Sequence, residues 1–127
     1  MKKFFTIIAV AIGLVMFAGC GKSEQDFVYV YDGNFVGSDL LDNDVVEVRK
    51  YLSNIGISSR EDWIISASSR NAADGEALKR CNAKISKIDE SKFFAAREKF
   101  RFTITLTYHG SDETVVLKKQ EYGNYQN

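Results

Sequence analysis

Proline is missing from this chain altogether, and tryptophan and histidine occur once each. Without proline, every turn must be made by Gly, Asn, Asp or Ser. An excess of one charge sign is missing too, since 17 basic residues face 17 acidic ones. A nucleic-acid partner needs a basic face to displace counterions, so none is expected. There is no run of like charges, no low-complexity stretch and no internal repeat. Gly-rich phosphate loops and nucleophile elbows are also missing. The single histidine, His109, has Ser111 and Asp112 close by. A working triad aligns its groups from separate supports, whereas Gly110-Ser111-Asp112 is ordinary turn chemistry. No catalytic residue is therefore assigned, and the chain is not expected to be an enzyme.

Apolar residues make up 45% of the chain and aromatics 13%, too much for a disordered polymer. The length of 127 residues suits one domain with one modest core.

The N-terminus has its own organisation. Met1-Lys2-Lys3 is basic, and Phe4 to Ala18 (FFTIIAVAIGLVMFA) carries no charge. That run is shorter than the ~20 residues a membrane-crossing helix needs and suits the apolar part of a secretion signal. It ends in Phe17-Ala18-Gly19-Cys20, where two small residues precede a nucleophilic sulfur. Residues 1–21 resemble the signal of bacterial lipoproteins, with Phe17 where Leu, Val or Ile is commoner. The resemblance implies cleavage before Cys20 and acylation of its sulfur, so that Cys20 holds the protein to membrane lipid. Gly21, rather than Asp, implies in enteric-type bacteria an outer-membrane position facing the periplasm. Processing would remove two of the 17 bases and none of the 17 acids, leaving a small acidic excess.

Three consequences follow. Acyl chains bury methylenes at ~0.8 kcal/mol each, enough together for stable anchoring. Cys81 becomes the only free thiol, and a lone thiol in an oxidising compartment is safest when buried. Zinc would be left with Cys81 and His109 as its only soft ligands, too few for a site. Calcium fares no better: Asp32-x-Asn34-x-Val36-Gly37 opens like a calcium loop, but Val36 stands at the fifth position and Asn43 at the twelfth, where a bidentate Glu belongs. No metal and no cofactor is expected. The expected organisation is a signal at 1–19, a lipidated cysteine and polar tether at 20–26, and one domain at 27–127.

Within that domain, Phe27 to Tyr31 is β-branched and aromatic, and Asp32-Gly33 before Asn34-Phe35-Val36 predicts a hairpin turn. Leu41, Val45, Val48, Leu52 and Ile55 lie on one helical stripe. With Asp44 as cap, Glu47 three residues on and Gly56 as stop, they predict a helix over 43–54. Asp39, Asp42 and Asp44 then favour the positive end of its dipole. Residues 58–70 suit either a helix start at Ser59 or a short strand around Trp63-Ile64-Ile65. Residues 74–88 favour a helix with Cys81 on its buried stripe, although Cys81, Ala83 and Ile85 also alternate as in a strand. Phe100 to Tyr108 alternates apolar and polar residues, His109 to Asp112 turns, and Glu113 to Lys119 returns as a partner strand. Gly123 to Asn127 reads as a frayed end.

The fold class expected is α+β, a small antiparallel sheet with one or two helices packed on one face. That layout is similar, as architecture only, to cystatin-like envelope domains. Phe27, Tyr29 and Tyr31 share one face of the first strand. Either that strand is central and covered, or its aromatic face is a partner surface, for which tyrosine is well suited. The functional expectation is a membrane-tethered envelope lipoprotein that binds or neutralises another protein, as inhibitors and immunity proteins do. The alternatives are a structural or assembly accessory of the envelope, or a module for a small or lipid ligand.

Overall fold

Strand β1 runs unbroken from Gln25 to Gly37 in the computed structural model of the protein, which describes residues 24–126. The signal-like segment and Cys20 lie outside the described residues. The hairpin predicted at Asp32-Gly33 is not formed. Gly33 does not take the positive φ such a turn needs, and it pairs with Ile104 in the ladder. The strand also starts two residues before the predicted domain boundary, so Gln25 and Asp26 belong to the sheet and not to the tether.

The sheet is antiparallel and ordered β2-β1-β3-β4, with β2 at Arg60–Ala67, β3 at Phe100–His109 and β4 at Thr114–Tyr122. β1 divides its length between two neighbours. Gln25 to Asp32 pairs with β2, while Val28 to Gly37 pairs with β3. The ambiguous stretch 58–70 is thus mostly strand. Trp63, Ile65 and Ala67 are buried and alternate with exposed Asp62, Ile64 and Ser66.

Helix α1 spans Asn43–Asn54 and buries Val45, Val48 and Leu52. Its cap is Asp42 rather than Asp44: one Asp42 carboxylate oxygen accepts from the backbone N–H of Asp44 at 2.9 Å and of Val45 at 3.4 Å. Leu41 therefore precedes the helix and leaves its stripe, standing 89% exposed. Gly56 ends this unit at a φ of 78°, a region open to glycine without a Cβ clash. Helix α2 spans Arg70–Ile85, starting from Ser69, whose hydroxyl accepts from Ala72 N–H. Its buried residues are Ala73, Ala77 and Cys81, small enough to let the helix lie close on the sheet. A 3-10 segment, Glu90–Ala96, follows and buries Phe93 and Ala96.

Both helices and this segment cover the same face of the sheet, giving an α+β fold. The core joins Tyr29, Tyr31, Trp63, Phe100, Phe102, Ile104 and Leu106 from the strands to Val48, Leu52, Cys81 and Phe93 above them. Full burial of such a side chain contributes about 1.5–3 kcal/mol. Phe93 anchors the 3-10 segment edge-on against Phe100 and Tyr122, with centroids at 5.2 and 5.6 Å. The end of the chain is pinned rather than frayed as far as Tyr125. Asn124 N–H donates to Arg97 O at 2.7 Å, and Tyr125 N–H to Phe100 O at 3.1 Å.

Candidate functional site

Of the two readings the sequence leaves open for the aromatic face of β1, a covered core or a partner surface, the structure shows the covered core. Tyr29 and Tyr31 have no exposed area, and Phe27 is half-buried against the same cluster. The physical reason is the position of β1: it is an inner strand, and α2 lies over these rings. Tyr31 stacks on Trp63 with centroids 5.5 Å apart, and its hydroxyl donates to Ile57 O at 2.6 Å. Tyr29 donates to Asp74 at 2.7 Å. Burial and that carboxylate push the Tyr29 phenol above its usual range, and burial does the same to Tyr31. Both therefore stay neutral donors.

Two polar networks tie α2 to the sheet. At its start, Arg70 Nε donates to Asp74 at 2.8 Å, its Nη1 donates to Glu113 at 3.0 Å, and its guanidinium lies 3.6 Å from the centre of the Tyr108 ring. At its far end, Glu61 accepts from Trp63 Nε1, Ser59 Oγ and Lys84 Nζ, at 3.0, 2.9 and 3.1 Å. These bonds, led by the Trp63 indole, hold the Glu61 carboxyl below its ordinary range. Each member has its partner inside the fold, so both networks brace the helix.

The residues weighed from sequence for chemistry do not converge. His109 ends β3 in solvent, opposite Thr114. Asp42 and Asp44 share Lys99, whose Nζ lies 3.1 and 3.3 Å from their oxygens. The Lys99 hydrogen bond lowers the Asp42 carboxyl and raises the Lys99 amine. Among the described residues, no three His, Cys, Asp or Glu side chains gather into a metal-binding group. Among those residues, no helix is long and apolar enough to cross a membrane.

One end of the molecule is different, and sequence reasoning missed it. Leu40, Leu41 and Phe94 are 54%, 89% and 74% exposed. The segments that carry them meet at Lys99: Ser38 N–H donates to Lys99 O at 2.7 Å, Lys99 Nζ donates to Asp42 at 3.1 Å, and Phe94 and Lys99 border one shallow depression. This is the end where β1 finishes. The chain enters β1 at Gln25, at ~3.3 Å per residue some 40 Å away. The Arg97 guanidinium sits 5.2 Å from the Phe94 ring centre. A cleft of about 330 Å³ also borders Phe94, with Glu90, Arg97, Glu121 and Tyr122 in its lining. Its charged rim is unsuited to a wholly apolar guest, which speaks against a lipid pocket there. Leu40-Leu41 is visible in the sequence as an apolar pair beside acidic residues, but helical spacing assigns Leu41 to the stripe of α1.

Compared with protein-family models, curated proteins and solved structures, the chain matches none of them.

Proposed function

We propose that this protein is a lipid-anchored component of the bacterial envelope that acts by binding another envelope protein, inhibiting or neutralising it. The observation that carries this reading is the exposed trio Leu40, Leu41 and Phe94. Exposed apolar side chains grouped at one end of a small domain are the usual mark of a protein contact. The trio sits at the end of β1 remote from the N-terminal tether. A domain held through Cys20 can turn that end away from the bilayer, toward a partner. The charged cleft beside Phe94 supplies polar rim contacts for the same partner.

The test has two arms. Metabolic labelling with a fatty-acid analogue marks the wild-type protein and not Cys20→Ala. A photo-crosslinking amino acid is then placed in cells at Leu41, at Phe94 or at exposed Thr114 on β4. The expected result is one adduct of constant mass from Leu41 and Phe94, none from Thr114, and loss of the Leu41 adduct when Phe94→Asp is added. Equal patterns from all three positions, or labelling that ignores Cys20, overturn the reading.

A further inference from the structure

The two edges of the sheet are unequally defended. β4 carries Lys118 and Lys119 and a register irregularity opposite Leu106/Thr107, devices that keep a strand edge from pairing with another chain. β2 is regular along its whole pairing with β1, and from Trp63 to Ala67 (WIISA) it has no charge and no bulge. Its outer edge also opens into a slot of about 450 Å³, bordered by Ile64 to Ser68 on one side and by Ala72, Glu76 and Arg80 of α2 on the other. A slot with strand backbone along one wall is shaped for another extended chain.

We propose that β2 is a self-association edge, on which a second copy of this chain adds its own β2 antiparallel about Ile64. The two four-stranded sheets then form one of eight strands. Three observations select a second copy as the occupant and Ile64 as the centre.

The first is the open face of the sheet. Ile64 is 64% exposed there and pairs with Val28, itself 38% exposed. A two-fold axis at Ile64 sets the two isoleucines side by side and joins both Val28–Ile64 pairs into one apolar row across the junction.

The second is charge on α2. Arg80 lies over Trp63, its guanidinium 5.8 Å from the ring centre. Glu76 lies one helical turn back, and at ~1.5 Å rise per helix residue against ~3.3 Å per strand residue it stands about level with Ile65. The midpoint of Glu76 and Arg80 is thus level with Ile64. The same axis brings Glu76 of each copy against Arg80 of the other.

The third is charge at the ends of β2. The only ionic residues of the strand are Arg60, Glu61 and Asp62 at its start. In this register they face Ser68, Ala67 and Ser66 of the second copy, so no like charges on β2 meet. Arg60 moreover arrives beside Glu24, which borders the slot at its Ser68 end. None of this depends on the anchor at Cys20 or on the Leu41–Phe94 surface.

The experiment uses the full chain in mild detergent. Opposed antiparallel residues have Cα atoms about 4.5–5.5 Å apart, within reach of a disulfide. Ile64→Cys under mild oxidation is therefore expected to give a covalent dimer, and Val116→Cys, at a residue 58% exposed on β4, is expected to give only the wild-type background. By sedimentation, Glu76→Arg is expected to weaken the wild-type dimer by about tenfold or more, because it sets like charges together twice. The double variant Glu76→Arg/Arg80→Glu is expected to restore it. A wild-type chain that sediments as a monomer at its highest soluble concentration overturns the proposal. So does equal cross-linking at both cysteines, or cross-linking of Ile64→Cys to a different protein.

Discussion

The carbonyl oxygen of Ile57 occupies the space in which a Cβ on Gly33 would have to sit. The same oxygen accepts from the Tyr31 hydroxyl at 2.6 Å, and Gly33 N–H donates to Ser59 O at 2.9 Å. The α1–β2 connection is therefore laid directly on the backbone of β1, and Gly33 is there for close approach rather than for a turn. Gly33→Ala is expected to destabilise the protein by about 1–3 kcal/mol, since the connection must lift and loosen the Tyr31 bond. A lower urea midpoint with an unchanged slope measures it. Gly75→Ala, with open space around the added methyl, supplies the control and should hold or raise the midpoint.

Leu41 and Leu52 make a matched pair for separating contact from core. Leu41 is 89% exposed and Leu52 wholly buried. Leu41→Ala is expected to change stability by no more than about 0.5 kcal/mol. Leu52→Ala is expected to cost about 2–5 kcal/mol through lost burial and the cavity left behind. Denaturant unfolding of both variants checks this. If Leu41→Ala unfolds as easily as Leu52→Ala, then Leu41 belongs to the fold and not to a contact surface.

What the sequence disclosed was what local periodicity controls. Val45, Val48 and Leu52 recur at helical spacing, and Phe100 to Tyr108 alternates so regularly that the strand and its wet face could be read directly. Gly56 was legible because a helix stop is a local event. What stayed hidden was decided by partners distant in sequence. Asp32-Gly33 is a good turn in isolation, but ten residues of β3 pair across it and hold β1 straight. Trp63-Ile64-Ile65 has no clean period because Ile64 breaks the alternation on the exposed face, and the ladder with β1 resolves it. Asp42 rather than Asp44 is the cap because its carboxylate meets the Asp44 and Val45 N–H groups, and Lys99, far along the chain, bridges both carboxylates. For the candidate site the limit was sharper. Nothing near Leu41 in the sequence says that Phe94 will stand at the same end of the sheet, and the aromatic row of β1, which the sequence leaves open as core or surface, is core.

Cys81 lies wholly buried on the inner side of α2, and burial pushes its thiol up. Thiolate is the reactive form, so Cys81 is expected to resist thiol reagents in the native state and to react at the rate of unfolding. A reagent titrated across a urea series should show its reactivity rising with the unfolded fraction. Cys81→Ala should be mild, while Cys81→Ser should cost about 1–3 kcal/mol by burying a hydroxyl among apolar neighbours. Fast labelling in native buffer at Cys81 would contradict the packing of α2.

Glu61 joins the α1–β2 connection, the start of β2 and the end of α2, because Ser59, Trp63 and Lys84 all donate to it. Its carboxyl is held below the ordinary 4.5 in the folded protein, chiefly by the Trp63 indole. A carboxyl lowered on folding stabilises the native state above its unfolded value, and that stabilisation is lost as pH falls toward the folded value. The melting temperature is therefore expected to hold from neutrality to about pH 5 and to fall below it. Asp42 and Asp89 are lowered as well, so Glu61→Gln should make the acid decline shallower without abolishing it. Since the Glu61 side chain is 38% exposed, solvent screens the network and the neutral-pH loss in Glu61→Gln should stay within about 1 kcal/mol. Thermal melts of both proteins at matched ionic strength from pH 7 to pH 3 decide the matter. Parallel curves would mean that Trp63, Ser59 and Lys84 gather around Glu61 without stabilising its charge.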